Sequence, residues 1–306
     1  MANEVLYSGL GNARLSSILH QELQVALTDQ AHLWNHPAIR YLGDLRGRGS
    51  TAVDVPFANL GGASRMAAVA ENASSSNTDV TDTKATITIA RQALQRQISD
   101  LAELTDSAGL NVAALAQDMV ASAAMRFTEM ILDVTDGFSS TVGTTTVDLD
   151  VDDFFDAQFT LTQASVPGPY VWCPYPVQLT DLQNSLRAES GALQFMPATA
   201  DMLAIKGQGY SGSLNGVDIF ASSLVPTANA AADSASGMWG LGAVGYADGT
   251  TAPVTGAGGI VLPAGTKIMV EFERDAAGAL TKIVGNYYVG CAILEDSRGV
   301  SVITDR

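Results

Sequence analysis

The sequence predicts an α+β fold, because its helical and strand-like segments are mixed without the regular strand–helix repeat of an α/β protein. One long segment, residues 111–136, repeats apolar residues every three or four positions, as an amphipathic helix does. Two shorter segments, residues 51–58 and 83–90, alternate apolar and polar residues, as half-buried strands do. With 306 residues, the chain can bury a sizeable core in one elaborate domain or two ordinary ones.

The composition points to a protein that hides part of its surface against other subunits. Charged residues make up 16% of the chain, against about 25% in an average soluble protein. The net charge of −16 argues against direct binding of nucleic acid and against attraction to an anionic membrane, because both need Lys and Arg. No apolar segment predicts a membrane span or a signal peptide, so we expect a chain that stays in the cytosol where it is made.

The N-terminal region predicts an amphipathic helix over residues 12–34, an arm whose partner the sequence does not identify. Pro37 prevents much continuation of this helix. Six apolar residues recur at helical spacing along it: Leu15, Ile18, Leu19, Leu23, Ala26 and Leu27.

Residues 51–58 and 83–90 predict the two strands of a long hairpin. The residues between them are rich in Gly, Ser, Asn, Thr and Asp, and their one apolar cluster is "MAAVA". Because a two-stranded ribbon is marginal alone in water, we expect the hairpin to project from the body and to be stabilised by a neighbouring subunit. The apolar residues that alternate along its strands are Val53, Val55, Phe57, Ala85, Ile87 and Ile89.

Residues 111–136 predict the longest helix, and Gly137 is a natural residue to end it. At 1.5 Å per residue this helix is about 39 Å long, as long as a small domain is wide. Its apolar side, which includes Phe127, should pack on the body while the polar side faces solvent. We therefore interpret it as a strut.

Two further helices are predicted at residues 147–165 and 176–196, joined through the apolar segment "PYVWCPYP", which we expect to be a central strand. The stretch "LNGVDIFASSLVP", residues 214–226, predicts strand and turn, with Asp218 facing solvent. Residues 227–265 are dominated by Ala, Gly, Ser and Thr and predict loops with weak strands. The last forty residues or so predict consecutive antiparallel strands.

No group of residues predicts a catalytic or metal site. The histidines stand at positions 20, 32 and 36, and no Glu or Cys stands at a matching ligand distance from His32 and His36, so we interpret these two as surface or interface residues. A Ser-His-Asp triad would have to use the same three histidines, and no Gly-x-Ser-x-Gly motif is present. Cys173 and Cys291 lie in apolar settings that favour buried free thiols.

Two weaker motifs also have structural explanations. Gly240, Gly242 and Gly245 match Gly-x-Gly-x-x-Gly, but "YADGTTAP" follows and cannot open a helix, so we expect a flexible loop. The acidic run at Asp148, Asp150 and Asp152 begins like a calcium loop. It departs from one at the sixth position, Asp153 instead of Gly, and at the twelfth, Phe159 instead of Glu. We expect the run to favour the N-terminus of the next helix.

The order of these parts resembles the major capsid proteins of tailed bacteriophages with the Hong Kong 97-like fold. "LNGVDIFASSLVP" is similar to a recurring segment of that family, and the closing "GNYYVGCAILEDSRGVSVIT" is similar to the last strands of several members. The resemblance covers nearly the whole chain. It implies five parts: an N-terminal arm (residues 1–45), an extended hairpin loop (46–92), a peripheral domain with the long spine helix (93–140), an axial domain (141–265), and terminal strands that return to the peripheral domain (266–306).

The resemblance implies a structural protein and no enzyme, with no cofactor, that self-assembles as hexamers and pentamers into an icosahedral shell around phage DNA. Portal, scaffolding and decoration proteins are its implied partners, and the virion, assembled in the host cytoplasm, its implied location. The residues expected at subunit contacts are Val53, Val55, Phe57, Arg65, Lys84, Ile87, Ile89, Arg274 and Asp275.

In two respects the sequence departs from some members of this family. The arm starts almost at Met1, so we expect scaffolding to be a separate protein, or the chain to be a processed or shortened form. Some members join a hairpin lysine covalently to an asparagine of a neighbour. Lys84 and Asn286 are the matching residues here, but no partner Glu can be placed. A solvated Lys84 is the favoured interpretation.

Two alternative functions remain. An encapsulin, a bacterial cargo cage of the same fold, would need an apolar inner groove for a cargo peptide, and no sequence feature demonstrates one. An enzyme or ligand-binding protein of α+β class would need a converging set of titratable residues, and the sequence offers none.

Overall fold

The computed structural model describes residues 33, 36–44, 50–58, 68–69, 71, 74, 82–101, 110–188, 195–206, 209–249 and 268–306. The predicted N-terminal helix, apart from Leu33, lies outside the described residues, and so do Arg65 and most of the predicted hairpin tip. Four helices of at least seven residues are described: α1 Leu110–Thr135, α2 Val151–Gln163, α3 Pro176–Ala188 and α4 Ala200–Lys206.

The described strands run from the N-terminal part of the chain to its end. In chain order they are β1 Ile39–Asp44, β2 Ala52–Ala58, β3 Asp82–Thr88, β4 Ala90–Ser99, β5 Thr141–Val142, β6 Tyr170–Cys173, β7 Met196–Pro197, β8 Tyr210–Leu214, β9 Val217–Phe220, β10 Thr227–Ala228, β11 Asp233–Trp239, β12 Val244–Asp248, β13 Ile268–Asp275, β14 Leu280–Ile293 and β15 Gly299–Asp305. Helices and mixed sheets together confirm the predicted α+β class.

The first sheet is organised around the long strand β14. Strands β4 and β13 pair with the N-terminal part of β14, one on each side, and β12 pairs with its C-terminal end. All three pairings are antiparallel. Strand β1 adds to β12 in parallel. Helix α1 packs across this sheet through fully buried side chains such as Phe127 and Ile131, and the Phe127 ring meets the edge of Tyr246 at 5.3 Å between centroids. The predicted long helix and its buried side are confirmed.

The second sheet runs in the order β5-β15-β11-β6-β9-β8-β7, with β10 paired to β11. Strand β6 lies inside this order, as predicted for "PYVWCPYP". Helices α2 and α3 pack against the sheet, where Phe154 and Leu182 share a core with Trp172 and Met238. The two helices predicted over residues 147–165 and 176–196 are present as Val151–Gln163 and Pro176–Ala188. The second prediction is wrong at Met196, which belongs to strand β7.

The acidic run before α2 caps the helix. The Asp150 carboxylate accepts the backbone N–H of Val151 at 2.6 Å and also that of Asp153, while the Asp153 carboxylate accepts the backbone N–H of Asp150 at 3.2 Å. This reciprocal capping box satisfies donors that a helix start leaves open, and a good cap contributes about 1 kcal/mol. The prediction that these carboxylates favour the N-terminus of the next helix is confirmed.

The prediction of loops with weak strands over residues 227–265 is wrong for its described part. Strands β11 and β12 are buried at every residue and lie in the second and first sheets respectively. A Cβ added at Gly237 would lie 2.5 Å from the Cβ of Thr135, and one at Gly245 would lie 2.7 Å from Cδ1 of Leu294. Small residues therefore occupy these strands because the neighbouring layers lie too close for larger side chains. Their abundance is what suggested loops.

The Gly-x-Gly-x-x-Gly match is a tight turn between two buried strands and not the flexible loop that was expected. Gly240 donates its N–H to the carbonyl of Arg298 at 3.0 Å, and Gly242 has a φ of +83° that a side chain rarely adopts. Strand β12 follows the turn directly, so no helix opens there for a dinucleotide phosphate.

The predicted run of consecutive antiparallel strands at the C-terminus is right for β13 and β14 and wrong for β15. That strand leaves the first sheet and pairs with β11 in the second, antiparallel, and with β5 in parallel. The two sheets therefore do not divide at the predicted boundary, residue 265. Strand β12, before residue 265, belongs to the first sheet, and strand β15, after it, belongs to the second.

Candidate assembly surfaces

The predicted hairpin is present, and its base is fixed to its own subunit. Strands β2 and β3 pair antiparallel with Val53 opposite Ile87. Both side chains are buried, at 1% and 0% exposed, in a small core with Ala247 and Leu294. The expectation that a neighbouring subunit covers these residues is wrong for Val53, Ile87 and Ile89, because their own subunit covers them.

A glycine in β14 lets the hairpin lie close to the first sheet. A Cβ added at Gly290 would lie 2.3 Å from the carbonyl oxygen of Thr88, the last residue of β3. Such a distance is shorter than any ordinary contact, so a larger side chain would push the strand away. The hairpin therefore leaves the body from a tightly packed base.

The outer face of the hairpin base is polar. Lys84 contacts Asp54 across the two strands at 3.2 Å, and the hydroxyl of Thr86 donates to the same carboxylate at 2.6 Å. The hydrogen bond from Thr86, together with Lys84, lowers the pKa of Asp54. All three side chains are exposed, which agrees with a solvated Lys84 that is paired within its own hairpin.

Arg274 and Asp275, two other predicted contact residues, make contacts within the subunit. The Arg274 guanidinium binds Asp100 with both terminal nitrogens, with 2.6 Å between Nη2 and Oδ2, and this pair lowers the pKa of Asp100. The Asp275 carboxylate accepts the backbone N–H of Gly278 at 3.1 Å, which lowers its pKa, and lies 3.5 Å from Nζ of Lys282. Their role between subunits stays a prediction.

Asn286 is placed as a structural residue of the first sheet. Its side chain is 2% exposed, its oxygen accepts from Nε of Arg91 at 2.7 Å, and its nitrogen lies 3.4 Å from a Glu271 carboxylate oxygen. An amide that is buried and bonded at both ends is a poor partner for a lysine of another subunit, which argues against the Lys84–Asn286 crosslink.

A polar cluster joins the residues just before β1 to α4 and β9. His36, just before β1, is 7% exposed, and its Nε2 lies 3.4 Å from the Asp218 carboxylate on β9. Lys206, at the end of α4, contacts the same carboxylate oxygen. The expectations of a surface or interface His36 and of a solvent-facing Asp218 are therefore wrong, because the two side chains, 182 positions apart, contact each other and are largely buried.

The hydrogen bonds of His36 define its neutral form. Its Nδ1 accepts the backbone N–H of Ala38 at 3.2 Å, so the ring proton lies on Nε2, which donates to Asp218. Burial lowers the pKa of His36, although the neighbouring Asp218 carboxylate acts in the opposite direction. Protonation would place a second N–H against the N–H of Ala38, so the cluster favours the uncharged ring.

The described residues contain no group of three or more His, Cys, Asp or Glu side chains arranged to hold a metal ion. Cys173 and Cys291 are free thiols, and burial raises both pKa values, that of Cys291 to about 12, which leaves almost no nucleophilic thiolate at neutral pH. None of the described helices has an apolar stretch of the length a membrane span needs.

Comparison with known proteins identifies the fold. No family model matches the chain, and no curated protein matches its sequence. The capsid of Ralstonia phage GP4 matches with a TM-score of 0.60 at 12% identity, over 88% of this chain and 87% of that one. The capsid of cyanophage P-SCSP1u matches with a TM-score of 0.58 at 14% identity, over 88% and 86%. The holo-SrpI encapsulin complex from Synechococcus elongatus matches with a TM-score of 0.61 at 11% identity, over 87% and 84%. The chain thus has, over most of its length, the α+β fold found in phage capsids and in an encapsulin, as the order of parts in the sequence predicts.

Proposed function

We propose that the protein is a structural shell subunit that assembles with copies of itself into an icosahedral particle enclosing phage DNA. The observation that carries the proposal is the likeness to phage capsids over 88% of the chain, which spans both sheets and the long helix.

The hairpin and the N-terminal arm are the proposed connections between subunits. The hairpin base is packed on its own sheet, which leaves the hairpin residues beyond Ala58 as the proposed contact with a neighbouring subunit. Interfaces that persist bury on the order of 1,000 Å² or more, and a shell repeats each of them by symmetry. We propose the five parts with boundaries at residues 45, 92, 140 and 265 as the arm, hairpin, peripheral, axial and terminal segments of such a subunit.

Because the hairpin base is buried in its own subunit, fewer of its residues can contact a neighbouring subunit. Val55 is half-buried, while Val53 and Ile87 are fully used inside the subunit. The contact with a neighbour is therefore assigned to the outer part of the hairpin, from Val55 and Phe57 towards Arg65.

The net charge determines how the shell would treat DNA. At −16 per subunit, the protein would confine packaged DNA without binding its phosphates, because such binding needs a basic surface. Portal, scaffolding and decoration proteins are the proposed partners, and the virion, assembled in the host cytoplasm, the proposed location.

The test is the size and shape of the expressed protein. We expect the full chain to elute from size-exclusion chromatography as a very large species and to form closed, uniform particles in negative-stain microscopy. A small oligomer under all conditions of salt and concentration would contradict the proposal, unless addition of a scaffolding protein restored closed particles.

An encapsulin-type cargo cage is the second candidate, and the match to the holo-SrpI encapsulin complex, with a TM-score of 0.61, supports it. Both candidates predict closed particles, so microscopy does not separate them. The neighbouring genes do: terminase and portal genes support a phage capsid, whereas a peroxidase or ferritin-like gene supports a cargo cage.

A further inference from the structure

Helix α1 has a second apolar face that the described residues leave partly uncovered. Its first apolar face, with Met119, Phe127 and Ile131, is buried against the body. Met125 lies on another side of the helix and is 59% exposed. Further along that same side, Leu132 is completely buried. An apolar stripe that is covered at one end and open at the other indicates that something covers the open end.

The open end of this stripe lines a groove of about 250 Å³. Met125 and Thr128 form one wall, while Phe220 and Leu224, at the end of β9 and after it, form the other. The lining residues include no charged side chain. Small residues on the helix side, such as Ala121, let the axis of a second helix approach to about 8–10 Å.

Leu33 also lines this groove and connects it to the N-terminal part of the chain. From Leu33 the chain continues into the body, where the backbone N–H of His36 donates to the Leu33 carbonyl at 3.2 Å and Ile39 begins β1. The residues that precede Leu33 therefore begin at the groove itself. Those residues are the segment whose apolar positions recur at helical spacing.

We propose that residues 12–32 of the same chain occupy this groove as an amphipathic helix lying along α1. At 1.5 Å per residue the segment is about 32 Å long, comparable with α1 at about 39 Å. Its apolar side matches the uncharged lining, and Arg14 and Gln24 fall on the opposite side. Glu22 and Asp29 fall towards one edge of the apolar side, where a carboxylate can stay in water. The segment would complete the core of its own subunit whether or not subunits form a shell, and its opposite, polar side would remain available for the contact with another subunit that is proposed for the arm.

Thiol labelling of dilute, unassembled full-length subunits tests whether the groove is covered. Met125 and Phe159 are exposed to nearly the same extent in the described structure, 59% and 63%, so Met125→Cys and Phe159→Cys form a matched pair. We expect Met125→Cys to react at least about tenfold more slowly, because a docked helix protects it. Equal labelling rates would show that the groove is open and overturn the proposal.

Disulfide crosslinking identifies the occupant. Leu19→Cys, Leu23→Cys and Leu27→Cys are each combined with Met125→Cys, and Gln24→Cys with Met125→Cys is the control on the opposite side of the predicted helix. We expect at least one apolar position to link within one chain, as seen in the mass of the joined peptides, and the control to remain unlinked. No link, equal linking of the control, or a link between two chains would overturn the assignment to the same chain.

Discussion

At the scale of single residues, Phe127 lies at the contact between α1 and the first sheet. Its side chain is completely buried, and its ring meets the edge of the Tyr246 ring on β12. Edge-to-face pairs of this kind add to the free energy gained by burial. The ring is thus part of what holds the strut on the body.

We expect Phe127→Ala to lower the free energy of unfolding by about 3 to 5 kcal/mol, because the substitution leaves a cavity in a close-packed core. Phe159→Ala is the matched control, since Phe159 is also helical but 63% exposed, and it should cost less than about 1 kcal/mol. Denaturant unfolding of unassembled subunits measures both. Similar losses for the two variants would contradict the proposed packing of α1.

His36 makes the stability of the subunit depend on pH. Because burial lowers its pKa in the folded state, the unfolded chain binds a proton more readily below the ordinary value of about 6.5. The stabilisation is therefore complete above pH ~6.5 and is lost as the pH falls below that value. Asp218 and Lys206 are the charged groups of the described residues that face the ring.

We expect the free energy of unfolding of the wild type to decrease between pH 7.5 and 5.5 by more than that of His36→Gln, which does not titrate. Both proteins contain His20 and His32, so subtracting one free energy of unfolding from the other removes the contribution of these two histidines. Parallel pH profiles would show that His36 is not the titrating group.

At the scale of secondary structure, β14 connects the parts of the first sheet. It pairs with β4, β13 and β12, and its Gly290 receives the hairpin strand β3. The described base of the hairpin is therefore held by its own subunit, and the contact proposed with a neighbour is assigned to the residues beyond that base. This division separates contacts within the subunit from those proposed between subunits.

Elements with a strong period could be predicted from the sequence, and elements built from small residues could not. Helix α1 repeats bulky apolar residues every three or four positions, so it can be recognised from the sequence without knowing what packs against it. Strand β11, "DSASGMW", has the composition of a loop, and only the contact of Gly237 with Thr135 explains that composition. Burial between layers had removed the alternation that marks a strand.

The same limit applies to the candidate contact residues. The sequence placed Val53 and Ile87 correctly on one face of a hairpin, but it could not tell which surface covers that face. His36 and Asp218 stand 182 positions apart, so no local pattern relates them. Tertiary partners that are distant in the chain decide both cases.

The outer part of the hairpin gives a prediction at this scale. Residues 59–81 lie largely outside the described residues, and their sequence has few apolar side chains to offset an ordering cost of about 1 to 2 kcal/mol per residue. We expect fast amide exchange for residues 59–81 in unassembled subunits and clear protection in closed particles. Residues 85–88, in the packed base, are the internal control and should be protected in both.

Deletion of residues 62–80 tests the same idea by function. Because the base is held by Val53, Ile87 and Gly290, the shortened subunit should stay soluble and folded while no longer forming stable shells. Particles of normal stability from the deletion variant would show that the hairpin does not connect subunits.

At the scale of the whole molecule, charge opposes assembly and apolar burial favours it. Each subunit carries a net charge of −16, so copies brought together repel one another unless salt screens the repulsion. Exposed apolar side chains such as Ile205, which is 83% exposed, and Leu101, which is 72% exposed, provide surface that contact with other copies could remove from water.

We therefore expect assembly to weaken at low ionic strength. The screening length is about 30 Å at 0.01 M salt and about 10 Å at 0.1 M. At low salt, charges therefore repel one another across a whole subunit and not only at the contact between subunits. The fraction of subunits in closed particles, measured by light scattering or sedimentation, should rise with sodium chloride and rise further with a divalent salt at equal ionic strength.

Circular dichroism at each salt concentration is the control that subunits remain folded. Assembly that is stronger at low salt would mean that attraction between opposite charges outweighs repulsion at the interfaces, because lower screening strengthens that attraction and leaves apolar burial unchanged. It would contradict the proposed balance of charge repulsion against apolar burial.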